Sequence, residues 1–217
     1  MGRHSDAASG RRFDGDPIRR CRVAWASAAR DAVTTIRALI LAAGRGERMR
    51  PLSDATPKPL LEVRGRPLIE WHLLAMARAG VREVVVNTAW LEERIVAALG
   101  DGSRFGVTLR YSREGRDYGG ALETAGGVAT ALPLLVDTMD DCFWLVSADI
   151  YAPGFDFDPG RAAAFAAGDD LARLWLVPNP PYHPQGDFAL AAGGLVARSA
   201  EALPFTYANI ALCRPAL

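Results

Sequence analysis

Residues 37–63 read RALILAAGRGERMRPLSDATPKPLLEV: an apolar run, a glycine loop carrying Arg45, Arg48 and Arg50, and a second apolar run entered through Pro57-Lys58-Pro59. Leu39, Ile40 and Leu41 predict a buried strand, because a short continuous apolar run suits a sheet covered on both faces. Gly44 and Gly46 let the next segment bend and let backbone N–H groups come close to an anion. Lys58 is the only lysine in the chain; every other one of its 25 basic residues is arginine. A single compact ammonium between two prolines points to a charge held on a rigid arm, with an ordinary surface loop as the alternative.

Two common phosphate loops do not fit. A Walker loop needs a lysine directly after its last glycine, and no lysine follows a glycine here. A dinucleotide fingerprint needs a third glycine, where Gly44-Arg45-Gly46-Glu47-Arg48-Met49 ends in methionine, and Pro51 blocks the long helix that should follow. A nicotinamide-dependent reductase is disfavoured on the same ground.

Outward from this stretch, strands and helices alternate. Pro67 suits the first position of a helix over 68–79, with Ile69, Leu73 and Met76 on one face and Gly80 as its stop. Val84-Val85-Val86 predicts a second buried strand ending at Asn87-Thr88, and Leu91 to Leu99 a second helix with Glu92 and Glu93 in its first turn. A strand over 107–111 follows. The glycine-flanked segment Tyr118 to Val128 then leads into an apolar helix ending near Leu135. Phe143 to Val146 predicts a strand, 160–167 a helix, 171–177 a strand and Phe205 to Ala211 the last strand. Pro178 to Phe188 is too rich in proline for a helix and is expected to form a wall or flap over the substrate. The pattern predicts an α/β, doubly wound, mostly parallel (mixed) sheet, with ligands beyond the carboxyl ends of the strands. Asp149, just past an apolar strand, falls at that edge and suits Mg²⁺, which takes one or two carboxylates and completes its shell with water and phosphate oxygens. A turn or capping aspartate is the alternative. His72 and His183 are weak catalytic candidates.

The chain of 217 residues, half of them hydrophobic, is long enough for one good core. Residues 1–35 carry no periodic apolar pattern and are expected to be a disordered or non-native extension, leaving 36–217 as the folded domain. The formal net charge of zero argues against a nucleic-acid partner, and no apolar run approaches the roughly 20 residues of a membrane span. Cys21, Cys142 and Cys213 are too scattered for a zinc motif and read as reduced thiols of a cytoplasmic protein. Nothing in the sequence sets an oligomeric state.

Leu41 through Leu60 resembles the signature of the sugar-1-phosphate nucleotidyltransferases, roughly L-A-A-G-x-G-x-R-[ML]-x-P-L-[TS]-x-x-x-P-K-P-L. The resemblance extends over residues 37–217 and implies a Rossmann-like nucleotidyltransferase fold that takes UTP and a sugar 1-phosphate with Mg²⁺. It is strongest toward the members that transfer uridylyl to N-acetylmuramate α-1-phosphate in cell-wall recycling. The residues that carry that likeness are Gly44 to Met49, Leu99 to Gly106, Glu123-Thr124, Asn179-Pro180 and Gly186-Asp187-Phe188. It implies catalytic roles for Arg48 and Lys58, and a nucleotide site made by Ala42, Ala43, Gly44, Gly46, Glu47, Gly115, Glu123, Thr124 and Gly126, with Gly127 beside them. It also implies Ser147, Asp187 and Asn209 on the sugar side and Asp149 on the metal.

The chain departs from the pattern twice. Ser147-Ala148 stand where the family writes an asparagine and a glycine before the aspartate, and no W-x-D-V-G-T segment follows Cys213. The second departure predicts a C-terminally truncated domain or a non-catalytic nucleotide-sugar-binding homologue. Thr124-Ala125-Gly126 keeps mannose-1-phosphate guanylyl transfer open as the alternative within the family.

Overall fold

The computed structural model describes residues 36–198 and 202–217. The expected N-terminal extension, residues 1–35, and with it Cys21, lies outside the described residues. Among the described residues six strands make the main sheet: β1 (Arg37–Leu41), β2 (Glu83–Thr88), β3 (Thr108–Arg113), β4 (Phe143–Ser147), β5 (Ala172–Pro178) and β6 (Phe205–Cys213). Their order is β3-β2-β1-β4-β6-β5. The first four run parallel, and β6 is antiparallel to both of its neighbours. The mostly parallel, mixed sheet predicted from the alternation is therefore present.

Side chains alternate across the sheet with the period of two that strands impose. Ala38, Ile40, Val84, Val86, Trp144, Val146, Ile210 and Leu212 face one layer. That layer is filled by α1 (Leu68–Arg78), α2 (Glu92–Leu99) and α5 (Pro159–Ala166) through Ile69, Leu73, Met76, Ile95, Leu99 and Phe165. Leu39, Val85, Phe143, Leu145, Ala211 and Cys213 face the other layer, onto Ala131 and Leu135 of α4 (Glu123–Leu135). A short helix, α3 (Glu114–Tyr118), joins β3 to α4. Trp144 packs edge-on to Phe157 at 5.2 Å and tilted against Trp175 at 5.1 Å, which anchors the segment that follows Asp149.

Several boundaries moved for local reasons. Pro67 is the cap of α1 in extended backbone rather than its first turn, because it pairs with Glu62 in a two-residue ladder. The third strand starts at Thr108 and runs on to Arg113, and the last reaches Cys213. α3 and a two-stranded hairpin joining Ala189–Leu190 to Val196–Ala197 carry no apolar period, so the sequence reading did not contain them. The proline-dense segment is free of helix, as expected.

The order of the strands positions the site. From β1 the chain moves outward to β2 and β3, then crosses back to β4 on the other flank of β1, with Leu41 opposite Ser147. The loops leaving β1 and β4 thus diverge at the reversal point and open a crevice beyond the strand ends.

Candidate active site

The loop leaving β1 supplies the basic side of the crevice. Ala42 extends the ladder by donating its N–H to the Asn87 carbonyl at 3.0 Å. Gly46 adopts φ +67°, and a Cβ there would sit 3.3 Å from the Lys58 Cβ, so glycine lets the loop turn directly against the lysine. Gly44 has open space on its Cβ side, so packing does not require glycine there. Ser53 is buried and donates its hydroxyl to the Gly46 carbonyl at 2.8 Å, closing the loop from below. Glu47 and Arg48 lie in a single 3₁₀ turn (Glu47–Met49), exposed at the rim. Arg50 pairs with Asp54 at 2.8 Å, whereas Arg45 and Arg48 have no carboxylate partner among the described residues.

Lys58 opens a second 3₁₀ turn (Lys58–Leu60) after extended Pro57, with Pro59 buried beneath it. Its ammonium meets Asp149 Oδ2 at 2.5 Å. The lone lysine and the strand-end aspartate, 91 residues apart, are thus brought together across the crevice. Both stay accessible, with side-chain exposures of 24% and 40%, so either can reach a ligand.

His72 on α1 is wholly buried and bonds the Ile150 carbonyl through Nε2 at 2.9 Å. Burial pushes the imidazole pKa down, so the ring stays neutral and Nε2–H is the donor; Nδ1 is left without a partner. The sequence reading took this histidine for a structural or exposed one. It ties α1 to the residue that follows Asp149.

The opposite wall rests on a buried polar network. Glu114, fully buried, accepts the Leu122 N–H at 2.7 Å and also the Asn87 side-chain amide. Leu122 is the N-cap of α4, so a carboxylate from α3 satisfies a donor at that helix's start. Above it, Glu123 takes φ +59°, a left-handed conformation unusual for a side chain of that size, and Glu123 and Thr124 are exposed in the first turn of α4. Gly126 lies in the same turn. A Cβ on Gly127 would stand 2.9 Å from Glu114 Oε1, and one on Gly115 would stand 2.7 Å from the Ala89 carbonyl. Packing demands both glycines. Between this wall and the β1 loop lies a cavity of about 510 Å³, lined by Ala43, Arg45, Trp90, Gly115 and Gly119 among others.

On the far side of β4, β6 carries a bulge between Tyr207 and Ala211 that puts Asn209 at φ +57°. Ser147 donates its hydroxyl to Asn209 Oδ1 at 3.4 Å. Asp187 accepts the Tyr207 N–H at 2.8 Å and faces His183 Nε2 at 3.1 Å. The Tyr207 hydrogen bond, ahead of the His183 contact, holds its carboxyl below the usual range. Because β6 runs against β4, Tyr207 and Asp187 fall beyond the same carboxyl edge as Asp149. The expected site residues therefore gather on one edge of the sheet, with Ser147, Asn209 and Asp187 on one flank and Glu123, Thr124 and Gly126 on the other.

No cluster of three or more His, Cys, Asp and Glu side chains occurs among the described residues. The donor set still fits Mg²⁺: Asp149 offers a hard oxygen at the crevice, with Oδ1 not used by Lys58, and this ion fills its shell from few carboxylates plus phosphates and water. Cys142 and Cys213 are free but buried, and burial pushes the Cys213 thiol up to about 12, so neither serves as a nucleophile. No helix among the described residues is long and apolar enough to cross a membrane. Glu114 and Trp90 are not among the candidates read from the sequence, and the only signal for Trp90 there is an aromatic residue just after an apolar run.

Comparison with known proteins agrees with this architecture. The chain is 52% identical over 156 residues to N-acetylmuramate alpha-1-phosphate uridylyltransferase of Neisseria meningitidis serogroup B, covering 71% of this chain and 64% of that one. It therefore spans under two thirds of that relative's length. It is 32% identical over 187 residues to the protein of the same name from Caulobacter vibrioides, covering 82% of this chain and 75% of the other. HddC from Yersinia pseudotuberculosis, complexed with GMP-PN, superposes with a TM-score of 0.64 at 15% identity, over 82% of this chain and 76% of its own, a likeness of fold. The Nucleotidyl transferase family model matches residues 37–181, so the chain belongs to the nucleotidyl transferase family.

Proposed function

We propose that this protein joins UTP to N-acetylmuramate α-1-phosphate, releasing pyrophosphate and the UDP-sugar, as a step of cell-wall recycling in the cytoplasm. The observation that carries the reading is the Lys58–Asp149 pair, set at the crossover crevice against a glycine loop with two arginines that have no carboxylate partner among the described residues. The name borne by the relatives at 52% and 32% identity supports the choice of uridylyl and of this sugar.

In this reading a phosphate oxygen of the sugar 1-phosphate attacks the α-phosphorus in line. A new P–O bond forms as the bond to the β-phosphate oxygen breaks, and pyrophosphate departs. The protein aligns two anions and offsets the charge that builds between them. Lys58 bridges the α-phosphate and the incoming sugar phosphate with its compact ammonium. Arg48, at the rim, pairs with the leaving pyrophosphate through its planar fork. The backbone of Ala42 to Glu47 follows the triphosphate. Gly115, Glu123, Thr124 and Gly126 take the base, and Ser147, Asn209 and Asp187 the sugar. Asp149 would hold Mg²⁺, which when bound supplies Lewis-acid neutralisation of phosphate charge.

Pyrophosphate release tests the assignment. UTP with N-acetylmuramate α-1-phosphate should be turned over at least tenfold faster than GTP with mannose 1-phosphate. The reverse preference, which Thr124-Ala125-Gly126 would favour, makes the protein a guanylyltransferase. Tight UTP binding with no release from any pair makes it a nucleotide-binding homologue.

A further inference from the structure

Trp90, which follows β2, is fixed from two directions. Its indole N–H donates to the Ser53 carbonyl at 2.9 Å, and its backbone N–H donates to the Ala43 carbonyl at 3.4 Å. These carbonyls lie on either side of the arginine loop, so the one residue clips both ends of that loop to the end of β2. Across the face of its ring lies the Arg45 guanidinium, 4.4 Å from the centroid, within the distance at which a cation and an indole attract.

The surroundings of Arg45 separate it from an ordinary surface arginine. Two arginines line the 510 Å³ cavity, Arg45 and Arg116. Arg116 is neutralised by Asp117 at 2.7 Å, and the nearby Glu92 is taken by Arg113 at 3.1 Å. Among the described residues no carboxylate pairs with Arg45; its partner is the indole face. The ring leaves the edge N–H groups of the guanidinium unspent while holding its plane. A planar fork kept in place at a cavity wall, with its charge uncompensated, suits a phosphate oxygen pair. It stands one residue from Gly44 and Gly46, where the loop backbone opens toward the crevice.

We propose that Arg45 is a further ligand for the terminal phosphates of the nucleotide, and that Trp90 is the positioning residue that holds it ready. This rests on the reading of the crevice as a nucleoside-triphosphate site. Trp90 acts by limiting the conformations Arg45 must give up on binding, which is where a long side chain otherwise loses affinity.

Isothermal titration of the 217-residue chain with magnesium pyrophosphate, UTP and UMP tests it. Arg45 is exposed on its loop, so Arg45→Ala leaves the fold intact and decides the question alone. It should weaken pyrophosphate and UTP about tenfold, the scale of one charge-assisted hydrogen bond, while UMP, which lacks the terminal phosphates, changes less than twofold. Arg45→Lys should recover only part of the loss, because the ammonium keeps the charge without the fork. Trp90→Leu should lose pyrophosphate affinity by a similar factor, and the double variant no more than Arg45→Ala alone. A pyrophosphate affinity for Arg45→Ala within twofold of wild type overturns the proposal, as does an equal loss for UMP. Losses that multiply in the double variant overturn the role given to Trp90. A wild-type chain that binds none of the three ligands overturns the transferase reading itself, and this inference with it.

Discussion

Replacing Glu114 gives the sharpest test of how the wall proposed to take the base is built. The carboxylate is fully buried and accepts two donors, the Leu122 N–H at 2.7 Å and the Asn87 amide. In Glu114→Ala the buried Asn87 amide and the partly buried Leu122 N–H both lose their partner, and each such group costs about 1–3 kcal/mol, the partly buried one toward the low end. A water entering the polar space left behind restores part of this, which puts the net loss at roughly 3 kcal/mol. Glu114→Gln keeps the shape. Its side-chain oxygen can still take the Leu122 N–H, and Asn87 can turn its amide to offer an oxygen to the new NH₂ group. The cost then falls to about 1 kcal/mol. Urea unfolding reads both values from the midpoint, with an unchanged slope showing that the folded state is otherwise the same. Hydrogen exchange localises them: the Leu122 amide should lose protection in the alanine variant and keep most of it in the glutamine one. UTP should bind more weakly to the alanine variant while pyrophosphate is held as before, because the damage lies at the start of α4. An alanine cost under about 1 kcal/mol, or a glutamine cost equal to it, would refute the account of Glu114 as a buried acceptor for two donors.

Lys58→Ala and Lys58→Arg should each slow nucleotidyl transfer by about 10²–10³, yet change stability by under about 1 kcal/mol, because the pair with Asp149 is partly exposed; wild-type turnover by the arginine variant would show that a compact ammonium is not required. Gly127→Ala sets a methyl 2.9 Å from Glu114 Oε1 and 3.0 Å from Asn87 Nδ2 and should cost about 1–3 kcal/mol, so an unaltered melting temperature contradicts the packing argument. Asp187 has its folded pKa lowered, first by the Tyr207 N–H and then by His183, so its contribution is present above the unfolded value of about 3.9 and is lost as pH falls through the folded one. Asp187→Asn should therefore melt below wild type at pH 6, with the gap narrowing as pH falls below the unfolded value of about 3.9; a gap that does not depend on pH would exclude the carboxylate as its source.

How much was legible in the sequence followed the range of the forces involved. β1, β2 and β4 were read correctly because each is a short apolar run buried on both faces, a signal held within a few residues. Helix ends at Gly80 and Gly100 were marked by residues that accept positive φ. The sheet order was not readable in detail, since the antiparallel insertion of β6 between β4 and β5 depends on pairings between residues far apart in sequence. The bulge at Asn209 was hidden for the same reason: nothing local distinguishes a strand asparagine from one at φ +57°. Gly126-Gly127 read as a pair lining a pocket, yet Gly127 is required by a carboxylate that precedes it by 13 residues and an amide that precedes it by 40.

Motif reading captures one half of such a site and misses the other for a physical reason. Groups that touch phosphate or metal have to stay solvated until the ligand arrives, and Lys58, Asp149 and Arg48, proposed above for those roles, do sit accessible on the loops at the strand ends. Their identity is set by ligand chemistry, which is the same wherever that ligand binds and therefore leaves a recognisable pattern. The groups that hold those loops in place are under the opposite constraint. Glu114 and His72 are buried where water cannot serve as partner, and Glu114 finds both of its acceptor bonds inside the fold while His72 finds one. Their partners are a backbone N–H, a backbone carbonyl and an amide from another element, chosen by geometry rather than by side-chain type. A carbonyl such as that of Ile150 belongs to every residue, so no sequence letter reports that His72 needs it. The supporting shell can be recognised only once the sheet has brought the residues together, and there the buried polar atoms, being costly without partners, show which segments the fold is built to hold still.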